Sequence, residues 1–243
     1  MSSRPERPAQ RLINRKRSSY WWPRVFLAAM TANVIWEITK KNIPLSSTNS
    51  WPWKLTVLDV TTSATLASAA LALLLARSQL SRTSRPVISY TSILHKSRFI
   101  RKPYRVIHVR NAGAGHAVVL MLKYRYRIAD PRSGTAKGPL TDWMDWHDVL
   151  DKLEGHNMRD RVDFALPNIA NGAGLPLGSA TNADLELVAF TEKATVMLVE
   201  FDILLRIEDT LGDQHERVLI CMSQRHRKEL LDKLDKKRLR FWR

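Results

Sequence analysis

One cysteine, Cys221, is all the sulfur chemistry the chain could use for cross-linking, so an internal disulfide and a cysteine-based zinc site are both excluded. A lone thiol fits a reducing compartment for the domain that carries it. Nucleophile signatures are missing as well. No Gly-x-Ser-x-Gly elbow and no His-Glu-x-x-His pair occurs, and Cys221 lies in an apolar, strand-like stretch where a structural thiol is the default. Chemistry assembled from distant residues would leave no such trace.

Acidic residues are missing where basic ones are dense. Residues 1–24 hold 7 Lys or Arg and 1 acid, residues 81–105 hold 7 and none, and residues 225–243 hold 9 against 3. The stretch 106–224 has 12 basic and 17 acidic residues, so the formal charge of +16 belongs to the flanks. Cations that flank apolar runs point to an anionic membrane surface first, with nucleic acid the disfavoured polyanion.

Two apolar runs lie between the first two basic blocks. Trp21–Ile38 and Leu55–Leu75 are each of bilayer length or slightly shorter at about 1.5 Å per residue. Trp21 and Trp22 at one side, and Trp36, Trp51 and Trp53 at the other, suit the lipid headgroup level. A basic leader before an apolar run also resembles a signal peptide, but no small-x-small cleavage site precedes Lys40 and a longer run follows. The expected organisation is a basic arm (1–20), a membrane helix (21–38), an outside loop (39–54), a second membrane helix (55–76), a basic linker (77–85), a β domain (86–224) and a basic tail (225–243). Basic residues on the outer flanks of both helices predict that both termini are cytoplasmic, at the cell membrane. Ala64, Ser68, Ala72 and Ala76, every fourth residue, with Ala28 and Ala32, predict close helix packing; the sharper alternative is a homo-oligomer or pore.

After residue 85 short β-branched segments alternate with turns. Candidate strands are 86–91, 105–110, 117–128, 161–166, 185–190, 195–207 and 215–222. Lys123, Arg125 and Arg127 alternate with Leu122, Tyr124, Tyr126 and Ile128, a basic face against an apolar one. Residues 208–213 read as the turn that joins the last two strands. About seven strands with such turns predict an antiparallel sandwich with one inserted helix. That helix is expected to be capped by Thr141 or Asp142, to carry a stripe of Trp143, Trp146, Leu150 and Leu153, and to end at Gly155.

The segment Asn111-Ala112-Gly113-Ala114-Gly115-His116-Ala117 resembles the Asn-x-Gly-x-Gly-x-Ala turn between early strands of immunoglobulin-like domains in bacterial two-helix membrane proteins. His116 stands where those domains usually carry Pro. The resemblance extends over about residues 86–222 and implies an immunoglobulin-like sandwich without a known active site. Gly113-x-Gly115 is not a phosphate loop on this reading, since a strand rather than a helix follows it.

Candidate sites are few. His147, Asp148, Asp151, Glu154 and His156 cluster, yet an exposed polar helix face explains them with fewer assumptions than a metal, so no metal or cofactor is expected. The long loop from Leu166 to about Asp184, with Asn168, Asn171, Gly172 and Gly174, is the candidate for a ligand or partner contact, against a mobile surface loop. In the tail, Arg225, Arg227, Lys228, Lys236, Lys237, Arg238 and Arg240 surround Leu230, Leu231, Leu234 and Leu239, which predicts a basic amphipathic helix on anionic lipid. The expected function is a membrane-anchored, non-enzymatic binding or scaffold module for a protein or small ligand. Alternatives are a ligand-gated, nucleotide-sensing membrane effector and a tethered hydrolase that uses His147 with Asp148 or Asp151.

Overall fold

The computed structural model describes residues 9–14, 18–43, 51–53, 55–94, 96–130, 136–169, 171–176 and 184–241. Half of the expected outside loop, including Pro44, Ser46, Ser47 and Asn49, lies outside them. The chain divides into two compact units: residues 15–83, and residues 1–14 together with 84–243.

The first unit is a pair of helices, α1 (Ser18–Lys41) and α2 (Val60–Thr83). Among the described residues α2 alone is long and apolar enough to cross a membrane. In α1 the apolar run is diluted by Asn33, Glu37 and the terminal Lys40 and Lys41. The second helix starts later than the apolar run because Asp59 caps it: its Oδ1 accepts from Thr62 N–H (2.5 Å) and its carbonyl from Ser63 N–H (3.0 Å). It also runs on to Thr83, so most of the expected linker 77–85 is helical.

The seam of this pair corrects the small-residue expectation. The less exposed positions include Leu27, Met30, Asn33, Val34 and Glu37 on α1, and Ser63, Leu66, Ala67, Ala70 and Leu74 on α2. Ala28, Ala32, Ala64, Ser68, Ala72 and Ala76 are exposed. Steps of three and four average 3.5 residues and keep a seam on one face, whereas steps of four drift about 40° each at 3.6 residues per turn. Asn33 Nδ2 locks the seam, donating to Ser63 Oγ (2.6 Å) and Leu58 O (3.0 Å), and Trp36 stacks on Trp53 with centroids 4.8 Å apart.

The second unit is a mixed but β-rich body. It comprises β1 (Arg11–Asn14), β2 (Ile88–Ile93), β3 (Arg105–Asn111), β4 (Ala117–Ala129), β5 (Ala136–Lys137), α3 (Trp146–Gly155), β6 (Phe164–Ala165), β7 (Leu185–Phe190), α4 (Glu192–Met197), β8 (Leu198–Asp209), β9 (Gln214–Met222) and α5 (Gln224–Phe241). Two antiparallel sheets form, in the orders β1-β9-β8-β4-β5 and β2-β3-β7-β6. One apolar core lies between them. Ile107 and Val109, Leu187 and Phe190 meet Tyr124, Phe201, Ile203 and Leu205, and the Phe190 and Phe201 rings pack edge-on at 5.2 Å. Burying each such ring stabilises the fold by about 1.5–3 kcal/mol.

The basic face of β4 is exposed to a ladder of acids on β8. Arg125 pairs with Asp202 at 2.9 Å and Arg127 with Glu200 at 3.4 Å, while Arg206 on β8 pairs with Glu216 on β9 at 2.9 Å. Burial raises the Asp202 carboxyl above its ordinary range even with the Arg125 guanidinium beside it. Trp143 stacks over Arg125, 4.3 Å from its ring centroid, instead of lying on a helix stripe.

Several sequence expectations change. Asp145, not Thr141 or Asp142, precedes α3, whose buried side chains are Val149 and Leu153. Residues 195–197, read as the start of a strand, belong to α4, because Thr191 Oγ1 caps the turn by accepting from Ala194 N–H at 3.4 Å. The strand expected at 161–166 shrinks to Phe164–Ala165, and the one expected at 86–91 spans Ile88–Ile93. The largest change is β1: part of the expected basic arm is an edge strand, with Arg11 opposite Glu216, Leu12 opposite His215 and Asn14 opposite Gln214.

Candidate functional site

Strand polarity gives the β body two ends. β1 finishes, β2 starts and β3 finishes at the end where the chain passes to and from the helices, and β4, β7 and β9 start there too. The far end holds the 94–104 segment, α4 and the beginning of α5.

The entry end is closed by side chains that act as backbone. Asn111 Oδ1 accepts from Val87 N–H (3.0 Å) and Gly113 N–H (2.9 Å), and its Nδ2 donates to the Gly115 carbonyl. Ala112 N–H bonds Val87 O at 2.7 Å. A Cβ on Gly113 would lie 2.4 Å from Arg85 O, and one on Gly115 1.7 Å from Ser84 O. The glycines are there because the incoming strand crosses directly over them. His116 is exposed beside this turn. The Asn-x-Gly-x-Gly motif is thus a clamp on residues 84–87. Gln10 adds a second one, with Nε2 donating to Pro86 O and Oε1 accepting from Ile88 N–H, both at 2.9 Å.

Sequence reasoning missed the third closure. Asp209 Oδ1 accepts from Leu211 and Asp213 N–H, both at 2.9 Å, and Oδ2 lies 3.0 Å from His215 Nε2. Both side chains are almost completely buried, and Gly212 supplies the positive φ of 77° in the turn. The only sequence signal was the spacing of Asp209, Asp213 and His215 around Gly212. No nucleophile is bonded to this pair among the described residues, so its visible work is to lock the hairpin.

The described part of the candidate loop is pinned to β4. Gly172 N–H bonds Val119 O, Val119 N–H bonds Ala173 O, and Leu175 N–H bonds Ala117 O, each at 2.8 Å. Leu175 enters the core. Asn168, Asn171, Gly172 and Gly174 are exposed on the outside of this pseudo-strand, and Gly172 takes a φ of +92°. Residues 177–183 of the loop lie outside the described residues.

His147, Asp148, Asp151, Glu154 and His156 are all exposed, and no group of three or more potential metal ligands converges among the described residues. Cys221 is fully buried, with burial pushing its thiol pKa far up, so it is poorly suited to nucleophilic work.

The far end is open. One cleft, of about 630 Å³, sets Arg101, Lys102 and Lys193 against Asp163 and Glu192. Lys193 Nζ donates to Asp163 Oδ2 (2.8 Å) and Asn157 O (2.8 Å). Burial works against the Asp163 charge, yet Lys193 and the Arg159 N–H hold its pKa below the ordinary value. A second cleft, of about 640 Å³, lies between α5 and the start of β8; its charged lining is Arg225, Arg227 and Lys228.

This placement corrects the tail. α5 begins at the end of the body opposite the linker, and Leu230 is buried against the protein rather than offered to lipid. Arg227 Nε donates to Val196 O at 2.7 Å, and Arg225 pairs with Glu229 at 3.0 Å. Residues 236–240 are helical in backbone, but the side chains of Lys236, Lys237, Arg238 and Arg240 lie outside the described residues. His226, half-buried and near Arg105, has its pKa pushed down to about 4, chiefly by burial and then by that guanidinium.

Comparison with protein-family models, with curated proteins and with solved structures found no match to this chain.

Proposed function

We propose that the protein is a membrane-anchored, non-enzymatic binding module: a two-span hairpin that holds an immunoglobulin-like sandwich at the cytoplasmic face. The observation that carries this reading is the pairing of β1 with β9. One of these strands precedes both helices and the other follows both, yet they share a sheet. Residues 15–83 therefore leave and return to one folded body, and an excursion of that kind crosses a membrane an even number of times. If α2 crosses, as its apolar length allows, α1 must cross back. Asn33, Glu37 and Ser63, which dilute the apolar character of the pair, face the seam rather than the lipid side.

The strand orders also support the sandwich type. Lettered along the chain from β2, they read A-B-E-D and G-F-C-C′, the immunoglobulin arrangement, with β1 added outside G. Three buried carboxylates are engaged in the fold: Asp209 with His215, Asp163 with Lys193, and Asp202 with Arg125. That favours binding over turnover. The basic flanks favour termini on the cytoplasmic side, against anionic lipid.

Single-cysteine variants in a Cys221→Ala background test the hairpin. With a membrane-impermeant maleimide on intact cells, Ser47→Cys should label and Ser2→Cys only after lysis. Labelling of both from the same side would sink the two-span reading. Turnover of phosphoester, acyl or glycosyl substrates by the purified full chain would sink the non-enzymatic one.

One observation favours a second reading, the ligand-gated effector. The body is clamped at both of its connections to the helices, β1 three residues before α1 and Ser84 directly after α2, so a change in the body has a short path to the pair. The exposed Ala28/Ala32 and Ala64/Ser68/Ala72/Ala76 faces would then associate helices of several copies. Liposome leakage on addition of nucleotides supports this reading, and intact liposomes with no thermal shift count against it.

A further inference from the structure

We propose that the far-end cleft between α5 and the start of β8 binds a small phosphorylated ligand. The inference rests on the binding-module reading and names the class of ligand. The cleft holds about 640 Å³, within the range of about 300–1,000 Å³ usual for small-molecule sites. Its charged lining among the described residues is Arg225, Arg227 and Lys228, with Gln224 as a neutral donor and no carboxylate. The neighbouring cleft of similar size balances its cations with Asp163 and Glu192, so one sign of charge is not simply a property of this end of the body.

The three cations are not equivalent. Arg227 is held in place by its Nε bond to Val196 O at 2.7 Å, which aims its guanidinium in advance. Arg225 is exposed and its bond to Glu229 is exposed too, so that ion pair is weak and can be exchanged for a phosphate oxygen. Lys228 has no ion pair or hydrogen bond among the described residues and supplies a mobile charge. The first turn of α5 contains no acidic residue, and the carboxylate paired with Arg225, that of Glu229, stands one turn further along the helix. Three cations lining one cleft match the two or more negative charges of a phosphomonoester or diphosphate better than the single charge of a carboxylate. Val199, Ala136 and Leu231 form an apolar wall that would take an organic group attached to it.

Calorimetric titration of the full chain in neutral-detergent micelles at low salt tests the site, with inorganic pyrophosphate as the first probe and phenyl phosphate as the second. Saturable binding at one site per chain is expected, weakened at least tenfold in Arg225→Ala/Lys228→Ala and unchanged in Lys233→Ala, another exposed cation of the same helix. A short-chain phosphatidic acid in the same micelles, set against short-chain phosphatidylcholine, separates the two sources of phosphate. Displacement of the phosphatidic acid by pyrophosphate assigns a lipid headgroup to the site; binding of the soluble probes alone assigns a soluble ligand. Absence of saturable binding by every probe, or equal binding by the double variant, overturns the proposal while leaving the binding-module reading standing. Release of orthophosphate from pyrophosphate would instead overturn that reading.

Discussion

The two ends of the β body are built on opposite principles. At the entry end Asn111, Gln10 and Asp209 satisfy backbone groups in fixed positions, and glycines let strands cross with no room to spare. At the far end charged side chains line two open clefts and several of them have no bond among the described residues. The contrast teaches where substitution is tolerated. The entry end holds the chain as it comes from the helices, and the far end is free to meet something else.

The steepest break of this contrast is Gly115→Ala. With Ser84 O only 1.7 Å from the new Cβ, the incoming strand must move, and a loss of about 4 kcal/mol or more is expected, read as a collapse of thermal stability and early proteolysis near residue 84. Asn111→Ala comes next: it removes three bonds and leaves buried partners unsatisfied, for about 2–4 kcal/mol in chemical denaturation. Asp209→Ala should cost about 1–3 kcal/mol, with faster hydrogen exchange at Leu211 and Asp213, the two amides it now holds.

A pH scan tests the far end. His226 has a folded-state pKa of about 4, depressed from its ordinary value near 6.5, so the unfolded chain binds the proton more readily. Its contribution to stability is complete above about pH 6.5 and is lost as the pH falls towards about 4. The fall in melting temperature across that window should shrink in His226→Gln. The smallest effect belongs to Arg225→Ala/Lys228→Ala, expected within about 0.5 kcal/mol of the parent because both side chains are exposed. A large destabilisation there would abolish the distinction between the two ends.

Much of the body was legible in residues. Alternation of Lys123, Arg125 and Arg127 with Tyr124 and Tyr126 located a half-buried strand, and the Asp209–Asp213 region reads as a hairpin because Gly212 accepts a positive φ. Trp143 was misplaced because an indole suits an apolar stripe and an arginine plane equally well; only the neighbouring Arg125 decided between them. Residues 195–197 misled because Thr195, Val196 and Met197 favour strands, while the cap that turns them into a helix is a single hydroxyl on Thr191. The far-end clefts had no sequence signal beyond charge. Their walls come from segments that meet only after the strands are paired.

By itself the sequence determined the kinds of surface this protein has: one strongly apolar helix, alternating strands, a motif whose glycines admit a crossing chain, and cations gathered at the flanks. Each is a local property, set by periodicity, backbone freedom or charge. The tertiary structure decided which surfaces meet. It placed residues 11–14 beside β9, turned the small-residue faces of α1 and α2 away from their shared seam, and used Leu230 of the tail for the protein instead of lipid. Those choices depend on contacts between residues far apart in the chain, whose free energy no local pattern records.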